Sequence, residues 1–282
     1  MSMTNKPQYH FNTEALCVKQ AWSNKANILI EDVTTSDPPQ PYCAIYFSSN
    51  DIYFPNTEDV FHKRIVEKNT FEWYGTRISR ATKHIFVRDV FKQWYIRGIN
   101  AQCNNIEALA DLLKEEARGM KVVTVGSSAG GYAAIVLGSL LQAECVLAFN
   151  AQLNLNLLTS RNPFVALYQD TKWGGYFSTK QHINPNTQYF YFYSRLSPQD
   201  MQQCHAMPEL PNFHRVAFST SHHGIPFLKV ALPRVLNMPI EQLLALSGKS
   251  MHPLTFSIQQ AGLLKCASGL IHQVWQKYKR RQ

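Results

Sequence analysis

No stretch of this 282-residue sequence approaches the ~18 consecutive apolar residues that a bilayer-crossing helix needs. Met1 to Asn12 is polar and holds no apolar core of the kind a secretory leader carries, so a cytoplasmic location is the expectation. The six cysteines (Cys17, Cys43, Cys103, Cys145, Cys204 and Cys266) are scattered, with no C-x-x-C pair. That argues against a zinc site and a disulfide framework, and it suits a reducing compartment. The histidines outside residues 222–223 are equally dispersed, so no metal cage is expected. Charged residues make up only 17%, which argues against general disorder. There are no internal repeats or low-complexity tracts. Neither a P-loop nor a G-x-G-x-x-G nucleotide turn occurs at the glycine cluster near residue 126, and no RNP-like motif supports nucleic-acid binding.

What is present is a full hydrophobic core. At 45% hydrophobic residues, the length fits one large α/β domain, with room for a small cap. The formal net charge of +9 suits either an ordinary basic surface or an anionic substrate such as a CoA thioester or an acidic glycan. Part of the excess sits in the tail Lys277–Arg281, read as a solvated helix end.

Regular order begins near residue 43. Residues 1–42 are expected to form an N-terminal extension packed on the domain, with a strand near 27–33 and a proline-rich break at 36–41. Short apolar runs at 43–47, 83–89, 121–125, 144–149, 188–193 and 213–218 read as buried strands. Helical patterns are expected over 57–68, from Asn104 or Asn105 to about Arg118, and over 129–141. Strand and helix alternate at short intervals, which predicts right-handed crossovers and a mostly parallel central sheet flanked by helices. Residues 43–282 form the domain, 153–185 a candidate cap, and 228–282 C-terminal helices.

The chemistry points to Gly126-Ser-Ser-Ala-Gly130, which fits G-x-S-x-G between a β-type run and a small-residue helix. A serine on such a sharp strand-to-helix turn needs small neighbours, and Gly126 and Gly130 supply them. Ser128 is therefore the expected nucleophile, and Ser127 the fallback. A glycine-rich turn that merely packs or binds phosphate is the competing interpretation. Elbows of this type take their acid, then their histidine, later in the chain. Asp200 follows the run at 188–193, and His223 follows the run at 213–218. His223 is preferred over His222 because Gly224 gives its loop reach. Glu209 is the next candidate acid, while Asp170 precedes its strand and fits poorly. Asp200 is also a candidate helix N-cap for 201–206. The backbone N–H of Ala129 is the expected first oxyanion donor, and Ser49, in the loop after an early strand, the second. Trp94 and Tyr95 are aromatic core or substrate-groove residues, and Arg88 with Asp89 a candidate ion pair.

On Gly126–Gly130, Asp200 and His223-Gly-Ile-Pro226, the chain over roughly 43–230 resembles the α/β-hydrolase superfamily. Phe86, Val87, Asp89, Trp94, Tyr95, the run Gly126–Ala134 and Phe149-Asn-Ala-Gln152 make it look like hydrolase-like proteins of bacterial capsule and surface-polysaccharide biosynthesis. The resemblance implies a Ser-His-Asp esterase or O-acyltransferase (acetyl in particular) acting on a surface polysaccharide. Acetyl-CoA is then a co-substrate, an anionic glycan a partner, and no cofactor is tightly bound. A small-molecule carboxylesterase and a non-catalytic scaffold on the same fold stay open. The absence of a His-Gly-Gly-Gly run sets the chain apart from lipase-like members.

Overall fold

A computed structural model describes residues 15–33, 41–158, 173–269 and 271. Eight strands form one sheet: β1 (Ile28–Asp32), β2 (Tyr42–Phe47), β3 (Lys83–Val87), β4 (Lys121–Ser127), β5 (Cys145–Phe149), β6 (Gln188–Ser194), β7 (Phe213–Phe218) and β8 (Ser250–Met251). Their order is β1-β3-β2-β4-β5-β6-β7-β8. β1 runs antiparallel to β3, and every other neighbouring pair is parallel. The helices used below are α1 (Leu16–Asn24), α2 (Glu58–Phe61), α3 (Ile106–Glu116), α4 (Ala129–Leu140) and α5 (Pro198–Ala206).

The period of two along each strand splits the core into two layers. Cys43, Ile45 and Phe47 of β2 join the layer that contains α3 and α4, whereas Ala44 and Tyr46 face the opposite layer. The aromatic strand β6 divides the same way, with Tyr189 and Tyr191 on one face and Phe190 and Phe192 on the other. Strands buried on both faces read as continuous apolar runs, which is why β2, β5 and β6 were legible in the sequence. Burial pushes the Cys43 and Cys145 thiols up to about 12.

α4 is apolar all round, and every residue from Ala129 to Ser139 is buried. Its small residues let it sit close on the sheet. A Cβ on Gly138 would come within 2.6 Å of Thr124 Oγ1. Asn105 caps α3, its Oδ1 accepting the Ala108 N–H at 2.7 Å.

The strand expected near 27–33 is Ile28–Asp32, hydrogen-bonded into the sheet as its antiparallel edge. Other segments differ from expectation. The region expected to be only helical after Phe227 contributes the two-residue strand β8, paired with Ala217 and Phe218. The expected helix 57–68 is α2 followed by a π-helical turn at His62–Glu67. Within 153–185, 3-10 turns occur at Leu155–Leu157, Gly174–Tyr176 and Thr179–His182. The rest of that candidate cap, Asp170, Met1–Asn12, most of the break at 36–41 and the tail Lys277–Arg281 lie outside the described residues.

Arg88 and Asp89 do not form the expected ion pair. The Arg88 guanidinium donates to Asn27 Oδ1, Thr70 O and Asn69 Oδ1. The Asp89 carboxylate instead accepts the N–H groups of Phe91, Gln93 and Tyr95 at 2.9, 2.5 and 3.0 Å. These bonds hold a loop in which Lys92, Trp94 and Tyr95 all have positive φ. Trp94 and Tyr95 are core residues, 1% and 0% exposed.

Lys92, in the same loop, is buried with its ammonium over the Tyr53 ring and bonded to Asn56 Oδ1. Burial pulls it down to about 7 from an ordinary 10.5. Between those values the unfolded chain takes up a proton that the folded chain refuses, so stability falls as pH drops from 10.5 toward 7. Asp89 acts in the opposite sense. Burial raises its carboxyl from 3.8 to about 6, so its contribution is lost as pH rises through 6. Lys92→Met removes the lysine penalty, on the order of a few kcal/mol at pH 7. Melting followed by circular dichroism should show a midpoint higher by several degrees at pH 7 and a smaller gain at pH 10.

Candidate active site

The site stands at the carboxyl end of the central strand β4. Ser128 has φ 53° and ψ −119°, a strained conformation between β4 and α4. The glycines around it are needed for space rather than for flexibility. A Cβ on Gly126 would fall 2.0 Å from Gly130 O, and one on Gly130 would fall 2.2 Å from Phe47 O. The turn is pinned by Ser128 N–H donating to Phe149 O at 2.9 Å. Ser127 is still in the strand, paired with Phe149 and 4% exposed, so the elbow presents Ser128 instead.

The structure brings Ser128, Asp200 and His223 together. His223 Nε2 lies 2.8 Å from Ser128 Oγ, and His223 Nδ1 lies 2.7 Å from Asp200 Oδ1. With Nδ1 protonated, the imidazole donates to the carboxylate and leaves Nε2 to accept the serine hydroxyl proton. The Asp200 side chain is 1% exposed and that of His223 is 40% exposed, so the relay runs from the protein interior to solvent. Among the described residues Asp200 Oδ2 is buried without a hydrogen-bond partner, and the His223 imidazole is the side-chain partner of this carboxylate.

Asp200 sits in the first turn of α5, not in a free loop. The cap of that helix is Ser197, whose Oγ accepts the Asp200 N–H at 3.3 Å. The Asp200 side chain is thus released from capping and points to His223. Glu209, the other candidate acid, has a side chain 97% exposed and pairs with Arg215 at 3.8 Å. His223, not His222, is the histidine bonded to Ser128 and Asp200. The His222 carbonyl is the anchored group, accepting from Ser194 Oγ at 2.6 Å.

Asn150 was not singled out as functional by sequence reasoning. It follows β5 with φ 41° and is fully buried. Its Nδ2 donates to His222 O, Gly224 O and Ser194 Oγ, and its Oδ1 accepts Ser194 N–H at 2.8 Å. One side chain therefore clamps the histidine loop onto the ends of β5 and β6. The signal available in the sequence was an asparagine directly after a buried strand, two strands from the histidine loop. Asn150→Ala leaves these carbonyls short of a donor and frees the loop. About a 10²-fold loss in kcat is expected, because a small misplacement of a catalytic base costs on that order. Steady-state kinetics on a p-nitrophenyl ester, with a melting curve as control, checks this.

Ala129 is the first residue of α4, so its N–H has no acceptor within the helix and faces the elbow. Ser49 is placed differently from the expectation of a free donor. Its N–H donates to Glu72 Oε2 at 2.5 Å, and its Oγ accepts Asp51 N–H. Glu72 is bound back to the same loop, its N–H donating to Ser48 Oγ, and the Trp73 indole donates to Phe47 O at 2.9 Å. Glu72 as a residue is exposed, and desolvation of its carboxylate against this loop holds its pKa above the ordinary value. Any oxyanion using Ser49 N–H has to displace this carboxylate.

An antiparallel edge, a parallel sheet with its serine turn after the central strand, and acid and base after β6 and β7 make this an α/β-hydrolase-like fold. No protein-family model matches the chain. No curated protein matches it either. Among solved structures it is similar to a protein of unknown function from Staphylococcus aureus, at 13% identity and TM-score 0.45 over 78% of this chain and 94% of that one. It is also similar to the capsule O-acetyltransferase of Neisseria meningitidis serogroup A, at 12% identity and TM-score 0.45 over 63% of this chain and 74% of that one. A third is esterase B from Lactobacillus rhamnosis, at 13% identity and TM-score 0.39 over 78% and 84% of the two chains. Among the described residues no helix is long and apolar enough to cross a membrane, and no group of three or more His, Cys, Asp or Glu is arranged to hold a metal.

Proposed function

We propose that this protein is a serine-nucleophile acyl-ester enzyme that acts on a surface polysaccharide as an O-acyltransferase or esterase, with acetyl as the acyl group. The observation that carries this is the continuous relay Asp200–His223–Ser128 at 2.7 and 2.8 Å. Ser128 Oγ attacks the acyl carbonyl while His223 Nε2 takes its proton. The oxyanion is held at the start of α4 by the Ala129 N–H, with Ser49 N–H as the second donor once Glu72 has moved aside. His223 then protonates the leaving thiolate or alkoxide. In the second half, His223 removes a proton from the incoming hydroxyl, that hydroxyl attacks the acyl carbon, and Ser128 is regenerated. Asp200 holds the imidazole orientation and stabilises the imidazolium in both halves.

The incoming hydroxyl comes from a sugar in a transferase and from water in an esterase. The basic balance of +9 supports an anionic donor or acceptor, such as acetyl-CoA or an acidic glycan. A cytoplasmic location fits acetyl-CoA as the donor. The esterase reading, including a small-molecule carboxylesterase, is favoured by the 40% exposure of the His223 side chain, which leaves the base open to water. Incubation with acetyl-CoA, with and without an acidic oligosaccharide, separates the two. Acetylated glycan with CoA release that depends on the glycan supports transfer. CoA release indifferent to the glycan removes it.

A further inference from the structure

A groove of about 450 Å³ lies apart from Ser128 and takes no part in the relay. It is lined by Trp22, Arg97, Asn104, Asn105, Glu107 and Trp173. That volume is within the ~300–1,000 Å³ of small-ligand sites. Two indoles from distant parts of the chain, three amide or guanidinium donor groups and one carboxylate converge there. We propose that this groove is a carbohydrate subsite that takes a pyranose ring bearing a carboxylate, the acidic sugar of the glycan substrate. The proposal rests on the glycan reading above and adds where and through which chemistry the sugar is held.

The aromatic part suits a sugar because pyranose C–H faces lie against the electron-rich faces of indoles. Trp22 is stacked on Phe91 at 5.1 Å, which fixes its ring. Its indole N–H is buried with no hydrogen-bond partner among the described residues, so Trp22 gives the groove ring surface rather than an accessible donor. The polar part suits hydroxyls and one acid. Glu107 Oε1 accepts the Tyr176 hydroxyl at 2.8 Å, and its other oxygen is an acceptor suited to a sugar hydroxyl. Arg97 is exposed, and its guanidinium packs against the Phe91 ring at 5.3 Å. Among the described residues it makes no ion pair, so its fork of donors is open to a carboxylate. Phosphate or sulfate would satisfy Arg97 alone, but it would leave the indoles and Glu107 without a role.

The groove is also on the correct side of the molecule. Arg97 and the start of α3 follow the carboxyl end of β3, the same end of the sheet at which Ser128 stands. α3 and α4 share one core layer, and packed helices lie about 10 Å apart. A series of hydrogen bonds runs between the two places. Tyr132, whose N–H bonds Ser128 O, donates its hydroxyl to Tyr176 O at 2.5 Å, and Tyr176 donates to Glu107.

The test reads binding without catalysis, in full-length Ser128→Ala protein with a native melting curve. Tryptophan fluorescence and calorimetry follow titration with an unsulfated chondroitin tetrasaccharide, and maltotetraose serves as the neutral control. The expected result is saturable binding of the acidic oligosaccharide with a change in indole emission. It should be at least tenfold tighter than maltotetraose, and Trp173→Ala and Arg97→Gln should each weaken it about tenfold. Arg97 is exposed, so its variant reports even where Trp173→Ala fails to fold. No binding at millimolar tetrasaccharide, or binding that Arg97→Gln leaves unchanged, overturns the subsite. Equal binding of maltotetraose overturns the acidic assignment. An enzyme that binds the tetrasaccharide but never acquires an acyl group would instead contradict the acyl-transfer reading, so the two failures are separable.

Discussion

Ser128→Ala is expected to abolish covalent labelling by a fluorophosphonate probe and to cut acyl turnover by about 10⁴- to 10⁶-fold, the range seen when a serine nucleophile is lost. The wild-type hydroxyl lies 2.8 Å from His223 Nε2 at a turn held by Phe149 O, so removing Oγ deletes the attacking atom and little else. Alanine carries the same Cβ at φ 53° as serine, so the elbow strain is unchanged and the melting midpoint should stay within a few degrees. What remains is binding and oxyanion stabilisation, which alone give a small residual rate. In-gel fluorescence of wild type and variant, with intact mass to locate the adduct, measures this. Adduct formation at Ser127 in the variant would move the nucleophile by one residue. A wild type that never labels would leave a non-catalytic scaffold as the role of the fold.

Asp200→Asn should be the second-largest effect, at about 10⁴-fold in kcat, with KM and fold nearly unchanged. The two side chains are isosteric, and the backbone N–H of Asp200 is held by Ser197 in either case. The electrostatics differ. The carboxylate lies 2.7 Å from His223 Nδ1, and in the proposed mechanism it stabilises the charged imidazolium that forms as Ser128 is deprotonated. A carboxamide offers no charge and can present N–H to Nδ1, which stabilises the tautomer unable to accept from Ser128. The Asp200 side chain is almost fully buried, at 1% exposed, so water does not replace the interaction lost there. Pre-steady-state acylation against pH separates this from a structural defect. The variant should acylate slowly at all pH values and recover part of its rate as pH rises. A loss smaller than tenfold would mean that another acid orients His223. Glu209 is badly placed for that, because its carboxylate is exposed beside Arg215.

Ser128, Asp200 and His223 were legible in the sequence because each is marked by short-range chemistry. The glycine spacing around Ser128 reflects contacts over a few residues. The acid and base follow strands whose apolar runs announce themselves, and chain order does the rest. Asn150, Glu72 and the groove carry no such mark. An asparagine after a strand is common, and nothing local says that its amide will grip two carbonyls more than 70 positions away.

By itself, the sequence determined the strand–helix alternation, the parallel core and the serine elbow. Each follows from side-chain period and from glycines that prevent backbone overlap within one turn. The sequence favoured His223 over His222 through Gly224, and the tertiary structure places His223 Nε2 against Ser128 Oγ and sets Asp200 in a helix turn capped by Ser197. It also decided that Ser49 N–H is held by Glu72, and that the segment before residue 43 closes one edge of the sheet. The physical reason is separation along the chain. His223 and Ser128 are 95 positions apart, and His223 and Asp200 are 23 apart. A hydrogen bond over such a distance is set by how the sheet places the loop ends, and no local pattern encodes it.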